Sequence, residues 1–120
     1  MSYQIIQKNN YIMNNCMELL GALINISPYK MVYSLTELLM KWLPIQEREE
    51  ERWEYFYLLE LCVLRIGKFN MALPVVNLQF VDSILKETRD KVLATRIMMF
   101  LYSLSFVCPQ GENYLSQYLN

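Results

Sequence analysis

Twelve carboxylates, three thiols and not one histidine set the chemistry open to this chain of 120 residues. Histidine supplies the commonest general base near neutral pH. Its absence removes Ser-His-Asp triads, Cys-His pairs and histidine-held zinc catalysis. Five of the carboxylates crowd into one short run: Glu47, Glu49, Glu50, Glu51 and Glu54. A divalent cation needs oxygens converging on one point, and a single helix scatters such a run around its axis. The run is therefore expected to be a solvated helix start, with docking of a basic partner as the functional alternative. Glu60 differs, because it sits inside the apolar stretch 55–64. A buried carboxylate without a partner is costly. Glu60 is expected to lie on a narrow polar edge or to pair with Arg65 or another basic side chain, or else to anchor a Lys or Arg of a bound protein. No second acid or nucleophile can be placed beside it for catalysis.

The thiols are Cys16, Cys62 and Cys108, odd in number, widely spaced and set among apolar neighbours. That pattern reads as small buried thiols in a reducing compartment rather than a secreted disulfide framework. A zinc site built from them would lack histidine and need a carboxylate from elsewhere. Gly21, Gly67 and Gly111 are isolated, so neither a phosphate loop nor a dinucleotide fingerprint is present. The expectation is a protein that is not an enzyme and holds no cofactor and no metal. Lys86, Arg89 and Lys91 gather around one joint and form a small positive patch. The net charge is −1 and no nucleic-acid motif is present, which argues against a nucleic-acid partner.

Helices must position these residues. Pro28, Pro44, Pro74 and Pro109 cut the chain into helix-sized pieces, and no segment shows sustained period-2 alternation. The first piece runs over about 3–24, with Ile5, Ile12, Cys16, Leu19, Leu20 and Leu23 as its apolar stripe. The second opens on Ser27-Pro28, read as an N-cap serine before a first-turn proline. Its stripe is Val32, Leu35, Leu38, Leu39 and Trp42. The third covers 46–67. It is acidic at its start, as the helix dipole favours, with Arg48–Glu51 and Glu49–Arg52 as i,i+3 pairs. From Trp53 onward it is apolar nearly all round, which marks a central, enclosed helix with Leu64 at its centre. A shorter helix is expected over 75–86, carrying Val76, Phe80, Val81 and Leu85. Thr88 or Asp90 then caps a helix reaching about 107, with Leu93, Ile97, Phe100, Leu101 and Leu104 inward. A last helix is expected over 112–119.

The fold class is thus all-α, with five to six helices in a short α-solenoid-like stack or an irregular helical bundle. One helical domain is expected over 1–120, as a whole protein or as a piece of a longer one. The order 80–85, 90–96 and 100–104, with Asp90 in the joint and Arg96 within the second helix, resembles the helix pairs of armadillo and HEAT-type α-solenoids. That resemblance covers about a third of the chain and implies a scaffold that binds proteins along a helical face. No clean repeat recurs across the chain.

Apolar residues make up 54% of the sequence without glycine, above the roughly 45–50% typical of globular chains with glycine included. Eight Met and nine Tyr add adaptable and amphipathic contact surface. The surplus points to contact with another protein, in a non-catalytic interaction module of a larger scaffold or assembly factor. The residues singled out for that contact are Trp53, Tyr57, Glu60, Glu50, Arg89 and Tyr114. Two alternatives stand beside it. One is a compact adaptor holding a partner helix in an apolar groove, similar in size and helix count to death-fold and Bcl-2-like regulators, viral ones included. The other is an obligate homo-oligomer. No leader is expected, because residues 1–10 lack an apolar core. The most hydrophobic stretch, 97–108, is too short for a bilayer. An intracellular location follows, nuclear or cytoplasmic.

Overall fold

The computed structural model describes the backbone of residues 3–69 and 71–107, and within these the side chains from Asn15 onward. The fold is all-α: α1 (Tyr3–Ile26), α2 (Tyr29–Trp42), a 3-10 turn (Leu43–Ile45), α3 (Glu49–Lys68), α4 (Leu78–Glu87) and α5 (Lys91–Ser105). Among the described residues there is no strand. The expected helix over 112–119, and Cys108 before it, lie outside the described residues.

Each boundary has a local cause. Pro28 disfavours helix in the residue before it, and α1 closes on Ser27, whose hydroxyl donates back to the Leu23 carbonyl at 2.5 Å. Ser27 is therefore not the cap of α2, as the sequence had suggested. Pro28 holds that place in extended conformation, and no side chain caps the helix. Glu49, Glu50 and Glu51 fill the first turn of α3, while Arg65 and Lys68 fill its last. Both ends thus complement the helix dipole. Arg48 lies 4.0 Å from Glu51 as expected. Arg52, in contrast, donates to the Gln46 carbonyl at 2.9 Å rather than pairing with Glu49. α4 begins at Leu78, three residues later than expected, because Asn77 accepts from the Phe80 amide and caps it there. Of the two candidate caps for α5, Asp90 serves, accepting from the Val92 amide at 2.9 Å. Thr88 in turn accepts from the Asp90 amide.

α3 is the hub. It packs against α1, α2 and α5, and α4 rests on α5. Phe56, Leu59, Cys62, Val63 and Ile66 are fully buried. The expected α5 stripe, Leu93, Ile97, Phe100, Leu101 and Leu104, meets them. Phe56 and Phe100 sit 5.6 Å apart, ring to ring, at the centre of this contact. Leu64 is instead 40% exposed, on the outer edge of the hub. α2 returns antiparallel along α3: Gln46 bonds Tyr55 near one end, and Tyr29 meets Phe69 near the other. α1 and α5 both run parallel to α3. Successive contacts show it, from Met17 beside Trp53 through Gly21 beside Leu61 to Arg65 on the Ser27 carbonyl. On the other side, Arg96 meets Trp53 and Gly67 meets Val107. The result is an irregular bundle centred on α3.

α1 corrects the sequence reading most sharply. Gly21 and Ile24 are buried and Met17 is half-buried against the core. Leu19, Leu20 and Leu23 are exposed, and so is Cys16. A Cβ on Gly21 would come within 3.1 Å of the Leu61 side chain. Leu61 therefore packs tightly over α1 where α1 has no side chain. That packing turns the leucine stripe outward. Ile5 and Ile12 lie outside the described side chains.

Candidate interaction groove

Trp53, Tyr57 and Glu60 recur at i, i+4 and i+7, so they share one face of α3. That face looks at Arg96 and Ser103 of α5, themselves seven residues apart. Arg96 Nη1 donates to Glu60 Oε2 at 2.5 Å, and Ser103 Oγ donates to the other carboxylate oxygen at 3.2 Å. The Arg96 guanidinium carbon stands 4.9 Å from the Trp53 ring centre and 5.2 Å from that of Tyr57. The two rings are parallel within 4°, with centres 5.6 Å apart. A cation over two aromatic faces and against a carboxylate gains from both contacts where water is largely excluded. Arg96 Nε is buried without a hydrogen-bond partner, so the ion pair is not fully saturated.

Above this cluster the surface is concave. A cavity of about 220 Å³ has Trp53, Met17 and Val92 in its lining, and Glu49, Glu50, Glu54 and Asp90 complete it. Trp53 and Val92 also line a neighbouring hollow of about 370 Å³, bounded by Thr95, Met99 and Lys91. Three helices build the groove, because α1 and α5 flank α3 in the same direction. The parallel course sets the starts of α3 and α5 side by side and brings their carboxylates together. Glu49 accepts from the Thr88 hydroxyl at 3.2 Å. Glu54 is raised above the ordinary carboxylate value, first by burial and then by repulsion from Glu51 and Glu50.

The residues singled out from sequence separate into three places. Trp53 and Glu50 line the groove. Tyr57 and Glu60 lie beneath it, engaged with Arg96. Arg89 is exposed in the joint just before Asp90. Tyr114 lies outside the described residues. Sequence reasoning missed Met17, Asp90 and Val92 as groove residues. Asp90 was legible only as a cap, and nothing in the order of residues brings Met17 beside Trp53.

Of the two described cysteines, Cys62 is buried as expected and Cys16 is exposed. Burial pushes the Cys62 thiol up to about 11, against a smaller opposing effect of its hydrogen bond with Thr36. Such a thiol is inert near neutral pH. No cluster of three His, Cys, Asp or Glu suited to a metal exists among the described residues. No helix among them is long and apolar enough to cross a membrane. The chain matches no protein-family model, and no curated protein or solved structure shows significant similarity to it. The resemblance to armadillo and HEAT helix pairs gains no support from these comparisons.

Proposed function

We propose that this chain is a non-catalytic protein-interaction module, a helical piece of a larger scaffold or assembly. One observation carries the reading: both helices that run parallel to α3, α1 and α5, bear a second apolar stripe on the side away from the core. On α1 it is Cys16, Leu19, Leu23 and Ile26, with Ile26 75% exposed. On α5 it is Val92, Met99, Tyr102 and Phe106, with Phe106 69% exposed. Both sets fall opposite the buried stripe of their helix at 100° per residue. A helix that is apolar on two sides is one that is covered on two sides, and an exposed apolar patch of this kind marks a contact surface. Free thiols at Cys16 and Cys62 suit a reducing, intracellular setting, nuclear or cytoplasmic.

The test pairs capture with surface variants. Wild type is compared with Leu19→Lys/Leu23→Lys on α1 and Met99→Lys/Tyr102→Lys on α5. The expected result is one protein retained near stoichiometry by wild type and lost with one variant, while the unfolding midpoint stays unchanged. A monomer that retains nothing overturns the reading, whereas a protein retained equally by all three forms overturns the two stripes as its contact surface. The same stripes also serve the homo-oligomeric alternative. Light scattering separates the two, since a second copy would give a concentration-dependent mass that either pair of lysines abolishes.

A further inference from the structure

We infer that the groove at Trp53 takes a basic segment of the partner, seating one lysine or arginine with its stem on Trp53 and Met17 and its charge among Glu49, Glu50, Glu54 and Asp90. This rests on the protein-binding reading and names the chemistry of one of its surfaces.

Three observations converge. The first is shape. About 220 Å³ is below the roughly 300–1,000 Å³ of a pocket for a drug-sized ligand, and suits one long side chain. The second is the lining. A tryptophan, a methionine and a valine share the lining with four carboxylates, matching an aliphatic stem that ends in a cation. The third is carboxylate charge with a single basic side chain beside it. The carboxylates come from the starts of two helices. Arg48, the only described cation within 4.0 Å of any of the α3 carboxylates at this end, reaches Glu50 at 3.8 Å and Glu51 at 4.0 Å, on an exposed flank. Among the described residues no ion pair reaches Glu49, Glu54 or Asp90. Lys91 bounds the neighbouring hollow, and Arg96 is held by Glu60. Burial, and then repulsion from Glu51 and Glu50, holds Glu54 above its ordinary value, and a cation seated here would relieve the repulsion.

Charge complementarity selects a basic occupant over the alternatives. An acidic or phosphorylated segment would meet four carboxylates. A purely apolar helix would leave Glu54, already partly desolvated, with no counter-charge. A second copy of this chain would have to bring one of its exposed basic residues, such as Lys30, Lys41, Lys68 or Arg89, and the light-scattering measurement separates that case.

The experiment selects 12-residue peptides from a displayed random library on the full chain. Retained peptides are then measured against wild type, Glu50→Lys/Glu54→Lys and the uncharged Glu50→Gln/Glu54→Gln. Both glutamates are at least partly solvent-accessible, so these variants keep the fold, which circular dichroism checks. The expected result is enrichment of Lys and Arg, binding at least tenfold weaker in the lysine variant, and a smaller loss in the glutamine variant. The indole resonance of Trp53, identified with Trp42→Phe, should shift on binding. Retained peptides without basic residues, or basic peptides indifferent to both variants, overturn the inference. If those peptides are lost with Leu19→Lys/Leu23→Lys instead, the protein-binding reading survives without this groove. A chain that retains no peptide on either surface overturns this inference, and the capture experiment then decides the broader reading separately.

Discussion

Arg96 and Glu60, 36 residues apart in sequence, meet at 2.5 Å across the α3–α5 contact, with about 15% of each side chain exposed. The pair joins the hub helix to its parallel neighbour and fixes the arginine over Trp53 and Tyr57. Its worth lies in geometry as much as in energy. A buried pair often does no better than apolar residues of the same shape, whereas a broken pair strands a charge.

Glu60→Ala and Arg96→Ala should therefore each destabilise the protein by roughly 3 kcal/mol. The double replacement Glu60→Leu/Arg96→Met should cost less than either. Urea unfolding in a double-mutant cycle measures this. Strictly additive losses would mean that the two side chains stabilise the fold independently.

The orientation of α1 gives a contrast within one helix. Ile24→Ala should cost about 2–4 kcal/mol, and Gly21→Leu should push α1 off Leu61 at a cost of about 1–3 kcal/mol. Leu19→Ser, on the outward stripe, should change stability by no more than about 0.5 kcal/mol. Thermal unfolding of the isolated chain tests this. A large loss at Leu19 would show that the stripe is covered within the molecule.

On the hub the same logic separates two leucines. Leu59 is fully buried and Leu64 is 40% exposed. Leu59→Ala should cost about 2–5 kcal/mol, and Leu64→Ala markedly less. Equal losses would contradict this placement of the α3 faces.

Thiol chemistry should distinguish Cys16 from Cys62. In a Cys108→Ala background at pH 8, a maleimide should modify one thiol in the native protein and the second only on unfolding. Cys62 is shielded both by packing and by a thiol raised to about 11. Two fast native modifications would disprove its burial.

Glu54 gives a pH dependence with a definite sign. Its folded value lies above the ordinary 4.5, so the folded state binds the proton more tightly than the unfolded one. The charged form therefore costs stability above the folded value, and that cost fades as pH falls through it towards and below 4.5. Glu54→Gln should raise the unfolding midpoint at pH 7 and lose that advantage near pH 4. A gain that grew on acidification would invert the sign.

The sequence by itself determined the helical class, the hub and the inner face of α5. Proline spacing divides the chain, all-round apolarity singles out α3, and on α5 the stripe Leu93, Ile97, Phe100, Leu101 and Leu104 is more apolar than the outer Val92, Met99, Tyr102 and Phe106. It also determined that Glu60 must either reach the surface or find a partner, because a buried, unpaired carboxylate is costly. Only the tertiary structure decided that Arg96 is that partner, since a contact 36 residues away depends on how helices pack. It decided too which side of α1 is inside. The outer face, with Leu19, Leu23 and Ile26, is the more apolar by sequence, yet the buried face is that of Met17, Gly21 and Ile24, with Leu61 of α3 packed against Gly21. The groove arose in the same way. Its glutamates are written in one run, but Met17, Asp90 and Val92 reach it only because α1 and α5 lie parallel to α3, and local residue order carries no record of helix direction in space.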